Sequence, residues 1–234
     1  MDIYIAAPFG NYIKPANTIP VIGTFTHQPR AGLLWRILTT LRYANKEKCW
    51  YNALGLRNPG ITKGLKRHKP GEVLSIAAIA DQDFTWLNAI IPIDIPLEIN
   101  ISCPNVNHLK AYLQDLTLNF LPRNPIIKLA PTMPRQDLDF LMEAGFTNYH
   151  ASNTLPTNDG ARSGKVLQPY TIDTIHYIKA RLGDKARVIA GGGITHLNDI
   201  DKYMTAGADA FSLGTVCFNP YNLYKLLYAI EWAS

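Results

Sequence analysis

The sequence is poor in cysteine and has no long apolar run, and both absences narrow its class. Its 234 residues contain three cysteines, Cys49, Cys103 and Cys217, which lie far apart and form no CxxC pair. This count and spacing argue against a disulfide framework and against a metal or cluster site. No stretch approaches about 18 consecutive apolar residues, and the chain begins with a strand-like run instead of a basic leader. We therefore expect a cytoplasmic protein without a membrane segment and without a bound metal.

Charge is modest as well. The chain has 23 Lys and Arg against 18 Asp and Glu, a net charge of +5, and 47% of its residues are hydrophobic. These values are ordinary for a globular protein and argue against disorder. No basic run with interleaved aromatic residues indicates a nucleic-acid partner, whereas a small positive excess suits an anionic substrate or a phosphate.

Apolar, β-rich runs alternate with helical segments along the chain. The predicted strands lie near residues 3–7, 19–26, 72–80, 94–101, 125–130, 146–152, 186–191 and 209–214. Segments with apolar residues at i, i+3 and i+4 lie at 109–120, 135–144, 171–182, 197–206 and 221–232. Eight alternating units predict an α/β fold, a closed (β/α)8 TIM barrel over residues 1–234, with function at the carboxyl ends of the strands. A doubly wound open sheet is the alternative that periodicity leaves open.

The stretch Leu97–Asn105, which reads LEINISCPN, carries the clearest chemical signal. Its alternating apolar residues predict a strand, which ends at the following proline. Cys103 then falls at the strand tip between Asn100 and Asn105, whose carboxamides suit a flat heterocycle such as a pyrimidine. A thiol with a favoured thiolate can act there as a general base. A lone cysteine is more commonly a small buried hydrophobe, but its asparagine neighbours favour the chemical role.

The segment NISCPN resembles the signature of the dihydroorotate dehydrogenase family, FMN enzymes built on a (β/α)8 barrel. Two further elements are similar to family motifs: NALGLRN, which begins at Asn52, and SNT at residues 152–154. The first lies in a long excursion between the second and third strands, and long insertions usually cover a site. The resemblance implies that the substrate is bound by Asn52, Asn100, Asn105, Asn153 and Thr154.

Lys128 lies on an otherwise apolar strand, where burial is costly without an anionic partner. The segment KLAP that it opens is similar to the family's Lys-Leu/Ile-x-Pro, in which the lysine lies beside the flavin. The resemblance therefore makes Lys128 the residue that stabilises the reduced cofactor.

Glycine-rich turns end the seventh and eighth strands, at 191–193 and 214–215. Such turns expose backbone N–H groups, and barrels frequently bind phosphate at this position. The pattern is not GxGxxG, so a mononucleotide fits better than a dinucleotide. The turns therefore favour FMN as the cofactor. The resemblance implies that FMN is bound by Ala6, Ala7, Thr24, Asn100, Lys128, Ser152, Gly164, Gly192, Gly193, Gly214 and Thr215.

Two departures from the family stand near the start of the chain. Asn11 and Gly23 occupy positions where the branches of the family carry a lysine at the flavin edge. Lys14 is a candidate replacement. After Asn105 the chain is also shorter than the family's usual loop over the ring.

The resemblance implies oxidation of dihydroorotate to orotate in pyrimidine biosynthesis. Cys103 takes a proton from C5 of the substrate while C6 gives hydride to FMN N5. The soluble members of the family suggest a homodimer. Three alternatives remain: an FMN barrel acting on another ring, a flavin- or nucleotide-binding subunit without catalysis, and a phosphate-sugar isomerase or lyase that uses no flavin.

Overall fold

The computed structural model describes residues 1–80, 82–101, 109–158 and 160–233. In chain order its elements are β1 (Asp2–Ile5), β2 (Ile19–Phe25), α1 (Leu33–Thr40), β3 (Arg42–Ala44), β4 (Cys49–Asn52), α2 (Ile61–Arg67), β5 (Val73–Ile76), α3 (Asp83–Ile90), β6 (Leu97–Asn100), α4 (Leu109–Phe120), β7 (Ile126–Lys128), α5 (Arg135–Ala144), β8 (Asn148–Ala151), β9 (Leu155–Thr157), β10 (Gly160–Gly164), α6 (Gln168–Leu182), β11 (Arg187–Gly191), α7 (Leu197–Thr205), β12 (Ala210–Leu213) and α8 (Pro220–Ala233).

Eight of the strands close into a parallel barrel in the order β1-β12-β11-β8-β7-β6-β5-β2. They coincide with the eight runs predicted from periodicity, although each is shorter than its run, since only the paired centre of each run forms the ladder. The closed barrel confirms the predicted fold and excludes the open sheet. The five predicted helices also form, and α6 begins three residues earlier than expected.

Side chains on the barrel strands alternate between two apolar cores. Ile99, Ile127 and Tyr149 belong to the larger core, which packs the helices against the outside of the barrel. Residues of the opposite parity face inward, and a smaller cluster of Tyr4, Val21, Val73, Ile189 and Ala210 fills the barrel near its amino-terminal end. The inward positions nearer the carboxyl ends are therefore those that can carry chemistry.

The excursion between β2 and β5 is folded. Its strands β3 and β4 join β10 and β9 in a four-stranded sheet of order β3-β4-β10-β9. Residues 160–164 supply β10, which pairs antiparallel with β4 from Ala161 opposite Asn52 to Gly164 opposite Cys49. The two strands lie more than a hundred residues apart in the chain, so local sequence patterns do not identify this pairing.

Two contacts fasten this excursion sheet to the barrel. The buried side chain of Asn58 donates to Thr26 Oγ1 at 2.9 Å and accepts from the Thr26 amide at 3.2 Å, just beyond β2. The ring of Trp50 on β4 stacks on Phe218, which follows β12, with centroids 4.2 Å apart. The sheet therefore lies beside the glycine-rich turns at the barrel mouth. No helix in the described ranges combines the length and apolarity needed to cross a bilayer.

Candidate active site

A layer of polar side chains lies inside the barrel, above the apolar floor. Glu98 and Asn100 occupy the inward positions of β6. Register pairing aligns Ser75 with Glu98, and Lys128 with both Asn100 and His150. All five side chains are buried. Because parallel strands hold register-paired residues on the same face, the sequence places these groups together once the barrel closes.

Glu98 is the centre of this layer. Its Oε2 lies 2.7 Å from His150 Nδ1, and its Oε1 accepts from Ser75 Oγ at 2.9 Å and lies 3.6 Å from Lys128 Nζ. Thr24 Oγ1 is 2.9 Å from Ser75 Oγ, and it is the donor there because the Ser75 hydrogen is already given to Glu98. Glu98 is thus the anionic partner that a buried Lys128 requires.

The ionisation states follow from these contacts. Burial by itself raises the pKa of Glu98, but Lys128, His150 and Ser75 outweigh it and lower the pKa to about 2. Burial also lowers the pKa of His150, against the opposing effect of its contact with Glu98. His150 is therefore neutral near pH 7, with Nδ1–H donated to the carboxylate. The three groups Glu98, His150 and Lys128 together carry no net charge.

Amide side chains meet at the mouth of the barrel above this layer. Asn153 Nδ2 donates to Asn100 Oδ1 at 3.1 Å, and Asn153 Oδ1 accepts from the Thr154 amide at 2.9 Å. The predicted base Cys103 and the predicted ligand Asn105 lie outside the described residues. Asn52 is placed on the excursion sheet, where its Oδ1 accepts from the Leu54 amide at 3.4 Å. The mouth thus joins Asn100, Asn153 and Thr154.

A cavity of about 920 Å³ opens beside the ends of β11 and β12. Three of the residues predicted to bind the cofactor line it: Gly164, Gly193 and Thr215. Three lysines also line it: Lys48, Lys165 and Lys225. Lys165 lies 3.7 Å from Asp199, whereas no ion pair joins Lys48 or Lys225 to another described residue. The cavity is therefore cationic and suits a phosphate.

The glycines around this cavity differ in whether packing within the protein would allow a larger residue in their place. A Cβ on Gly193 would lie 2.6 Å from Lys165 Cα, and one on Gly192 would lie 2.7 Å from Leu167 Cβ, so internal packing and positive φ values already demand glycine there. Gly214 has φ −116°, and a Cβ on it would meet only Ala6 Cβ, at 3.9 Å. Its neighbours therefore leave room for a side chain at Gly214. The small residue there leaves a cradle next to Ala6.

Other predicted cofactor residues are already engaged with protein groups. Ser152 Oγ is 3.0 Å from Thr171 Oγ1, which donates to the Gly191 carbonyl at 2.9 Å. Ala7 packs against the inner apolar cluster. Ser212 is the converse case: its buried hydroxyl has no hydrogen-bond partner among the described residues.

The two positions that depart from the family bind each other. The Asn11 carboxamide donates to the Gly23 carbonyl and accepts from the Gly23 amide, both at 3.0 Å. Lys14 is not a replacement for the expected lysine, because it forms an ion pair with Glu72 immediately before β5. That position is the amino-terminal end of the barrel, opposite to the site. Geometry therefore overturns the interpretation of Lys14.

Sequence reasoning missed Glu98, His150 and Ser75. The cost of burying a charge on an apolar strand was applied to Lys128 and equally concerned Glu98, two residues before Asn100. His150 has the same inward parity on its strand as Lys128 has on its own. The available signal was a charged or polar residue at an inward position of each of four consecutive barrel strands.

A closed (β/α)8 barrel with buried ionisable groups and amides at the carboxyl ends of its strands defines a barrel protein with an enzyme-type site. A sequence model described as "Dihydroorotate dehydrogenase" matches residues 140–229. The catalytic subunit of dihydroorotate dehydrogenase B (NAD(+)) from Oceanobacillus iheyensis is 27% identical in an alignment 222 residues long, gaps included. The alignment covers 78% of this chain and 71% of that protein. A putative dihydroorotate dehydrogenase A (fumarate) from Aquifex aeolicus is 25% identical in an alignment 217 residues long, which covers 77% of this chain and 71% of that protein.

Solved structures agree on the fold. A ligand-free DHODH from Eimeria tenella superimposes with a TM-score of 0.74 at 19% identity, covering 91% of this chain and 78% of that one. The same enzyme crystallised with ferulenol gives a TM-score of 0.73 at 17% identity. In these comparisons the chain is similar to dihydroorotate dehydrogenases, and the sequence model matches its carboxyl-terminal part.

Proposed function

We propose that this protein is an FMN-dependent oxidoreductase that oxidises dihydroorotate to orotate, the reaction of pyrimidine biosynthesis. One observation carries the proposal. Asn100, Lys128 and Asn153, which come from three separate motifs, are joined by strand register and by the 3.1 Å bond between the two asparagines. Amides beside a buried cation are what a planar ring of alternating C=O and N–H groups requires.

The described residues fit FMN. The cationic cavity lined by Gly193, Thr215 and three lysines suits its phosphate, and the Gly214 cradle beside Ala6 gives room for a group approaching the backbone. The remaining proposed contacts are Ala7, Thr24, Asn100, Lys128, Ser152, Gly164 and Gly192. When bound, FMN would accept the hydride that leaves C6 of the substrate.

The chain's own residues would do the rest. Asn52, Asn100, Asn105, Asn153 and Thr154 would orient the ring and its carboxylate, which is the positioning contribution to catalysis. Cys103 would receive the proton from C5 on its sulfur. Lys128 would present its ammonium group to the charge that develops during the reaction.

The setting of the protein is part of the proposal. We infer a cytoplasmic homodimer, in which the free thiols Cys49 and Cys217 suit a reducing compartment. The relative from Oceanobacillus iheyensis is described as a catalytic subunit, and this supports an additional protein partner that would pass electrons to a soluble acceptor.

The test is an absorption spectrum of the purified protein with FMN, recorded before and after anaerobic addition of dihydroorotate. Bound FMN that loses its visible absorption on addition is the expected result. Cys103→Ala should slow this bleaching by about 10²–10⁴-fold, the usual contribution of a general base. Protein that takes up no FMN, or a Cys103→Ala protein of unchanged rate, contradicts the proposal.

Cys217→Ala is the matched control. Burial raises the pKa of the Cys217 thiol to about 12, so this cysteine cannot act as a base near neutral pH. We expect the control to bleach at the wild-type rate.

A second candidate, an FMN barrel that acts on another dihydropyrimidine-like ring, is favoured by the Asn11–Gly23 contact. A neutral amide occupies the position where the family carries a lysine. Stronger thermal stabilisation of the FMN-loaded protein by a uracil-like compound than by orotate would favour this candidate.

A further inference from the structure

The polar layer contains a histidine for which the proposed reaction has no use. His150 is buried, and its Nδ1 is committed to Glu98 at 2.7 Å. Its other nitrogen, Nε2, lies against β11, since a Cβ built on Gly191 would be only 2.7 Å from it. No described residue forms a hydrogen bond with Nε2. The absence of a side chain at Gly191 therefore leaves that nitrogen able to accept a proton.

Charge counting gives this nitrogen a role. In the resting state the Lys128 ammonium is balanced by the Glu98 carboxylate 3.6 Å away, while His150 is neutral. Lys128 is consequently not a spare cation. An electron pair that enters a cofactor at the barrel mouth brings negative charge toward a cluster whose net charge is zero, and uncompensated charge away from water is costly.

We propose that His150 takes up one proton from solvent at Nε2 when the flavin accepts an electron pair, so that the cluster of Glu98, His150 and Lys128 changes from neutral to a net charge of +1. The two electrons come from the reductant, the proton comes from water, and no bond within the cluster breaks. His150 acts through Glu98 and Lys128 and is therefore a positioning residue. The inference rests on the proposed function, because it requires the flavin.

The surroundings of His150 are consistent with a single proton-accepting group. Among the described residues, the charged groups that face its ring are Glu98 on β6 and Lys128 on β7. The neighbouring strands β11 and β12 present Gly191 and the hydroxyl of Ser212. A Cβ built on Gly191 would lie 2.7 Å from Nε2 and 3.5 Å from the Cβ of Ser212. The buried hydroxyl of Ser212 has no hydrogen-bond partner among the described residues. Ser212 is thus placed beside the nitrogen that would become a donor.

The hydrogen bonds of Glu98 do not depend on whether His150 Nε2 is protonated. Glu98 accepts from Ser75 and His150 whether or not Nε2 is protonated. Protonation of Nε2 therefore changes the charge of the cluster without requiring rearrangement of these bonds. This makes the proton uptake separable from folding.

The experiment is a spectroelectrochemical titration of the FMN-loaded protein between about pH 6.5 and pH 8, the interval around the ordinary pKa of histidine. Each proton bound with two electrons shifts the midpoint potential by about 30 mV per pH unit. The wild-type protein should bind two protons, one on the cofactor and one on His150. His150→Gln, which can still donate to Glu98 but cannot be protonated, should bind one.

His176→Gln is the matched control, because His176 is exposed on α6 and distant in the fold from the polar layer. It should retain the wild-type slope. A slope for His150→Gln equal to that of the wild type would overturn the inference, since the second proton would then reside elsewhere. Failure to bind FMN at all would instead refute the proposed function.

A second readout measures the charge of His150 directly. The imidazole resonances of His150, assigned by their loss in His150→Gln, should report a neutral ring in the oxidised protein at pH 7 and a charged ring after reduction with dithionite. A neutral ring in both states would contradict the inference.

Discussion

Two layers of side chains fill the same barrel, and they differ in kind. The floor is apolar and consists of Tyr4, Val21, Val73, Ile189 and Ala210. One inward position further along the strands, the layer above contains Ser75, Glu98, Lys128, His150 and Ser212. On β5 the apolar floor residue Val73 is followed two residues later by the polar Ser75. On β11 the floor residue Ile189 is followed two residues later by Gly191.

The comparison shows that stability and chemistry depend on different layers of the same barrel. The floor gains free energy by excluding water, which needs only shape and volume. The polar layer must satisfy each buried donor, acceptor and charge, so the loss of one member leaves others unpaired. We therefore expect substitutions in the two layers to differ in size and in pH dependence.

The largest effect should come from Glu98→Ala. It removes the anion between Lys128 and His150 and leaves a buried ammonium group without a partner, which we expect to lower the free energy of unfolding by about 3–5 kcal/mol. Urea unfolding at pH 7 measures this change. Glu143→Ala, on the exposed side of α5, is the control and should change stability little. A loss for Glu98→Ala as small as that for Glu143→Ala would mean that the ion pair with Lys128 is unimportant for folding.

Acid should weaken the polar layer more than the floor. The pKa of Glu98 in the folded protein, about 2, is lower than its ordinary value of 4.5. The unfolded chain therefore binds the proton first, and the stability that Glu98 contributes above pH 4.5 is lost as the pH falls toward about 2. Burial lowers the pKa of His150 as well, so its effect has the same sign and begins at higher pH.

Urea midpoints measured from pH 7 down to pH 3 would check this prediction. Glu98→Gln, which cannot titrate, should lose less stability over the interval than the wild type does. Equal pH dependence in the two proteins would show that other carboxylates control the acid transition.

The smallest effect should come from Ile189→Val in the floor. Removing one buried methylene should cost roughly 0.5–1.5 kcal/mol of unfolding free energy at every pH, because no titrating group is involved. Urea unfolding and FMN titration of the same variant would test both parts. A change in FMN affinity would show that the floor and the polar layer are coupled, and would contradict the expectation that the floor affects stability alone.

Much of the architecture was predictable because its signals are local. Period-two runs located all eight barrel strands, and the position of Lys128 at the end of such a run identified it as buried. The excursion sheet was not predictable in the same way. Its strands β4 and β10 pair across more than a hundred residues, and no turn residue or periodicity within either strand identifies the other.

The site shows the same division. Asn100, Lys128 and Asn153 could be identified from short motifs, since each motif carries its residue at a strand end. The network of Glu98, His150 and Ser75 could not, because its members are 23 and 52 residues apart and each by itself resembles an ordinary strand residue. The role of Lys14 was wrong for a related reason: its position in the sequence does not show which end of the barrel it reaches.

The sequence by itself determined the number of the barrel strands and their order along the chain, the polarity of their inward positions and the residues at their tips, because these depend on periodicity and residue type. Only the tertiary structure decided that Lys128 is balanced by Glu98, that Glu98 is shared with His150, and that Lys14 lies at the opposite end. Closing the barrel fixes the register between distant strands, and hydrogen bonds and ion pairs of about 3 Å depend on that register rather than on separation along the chain.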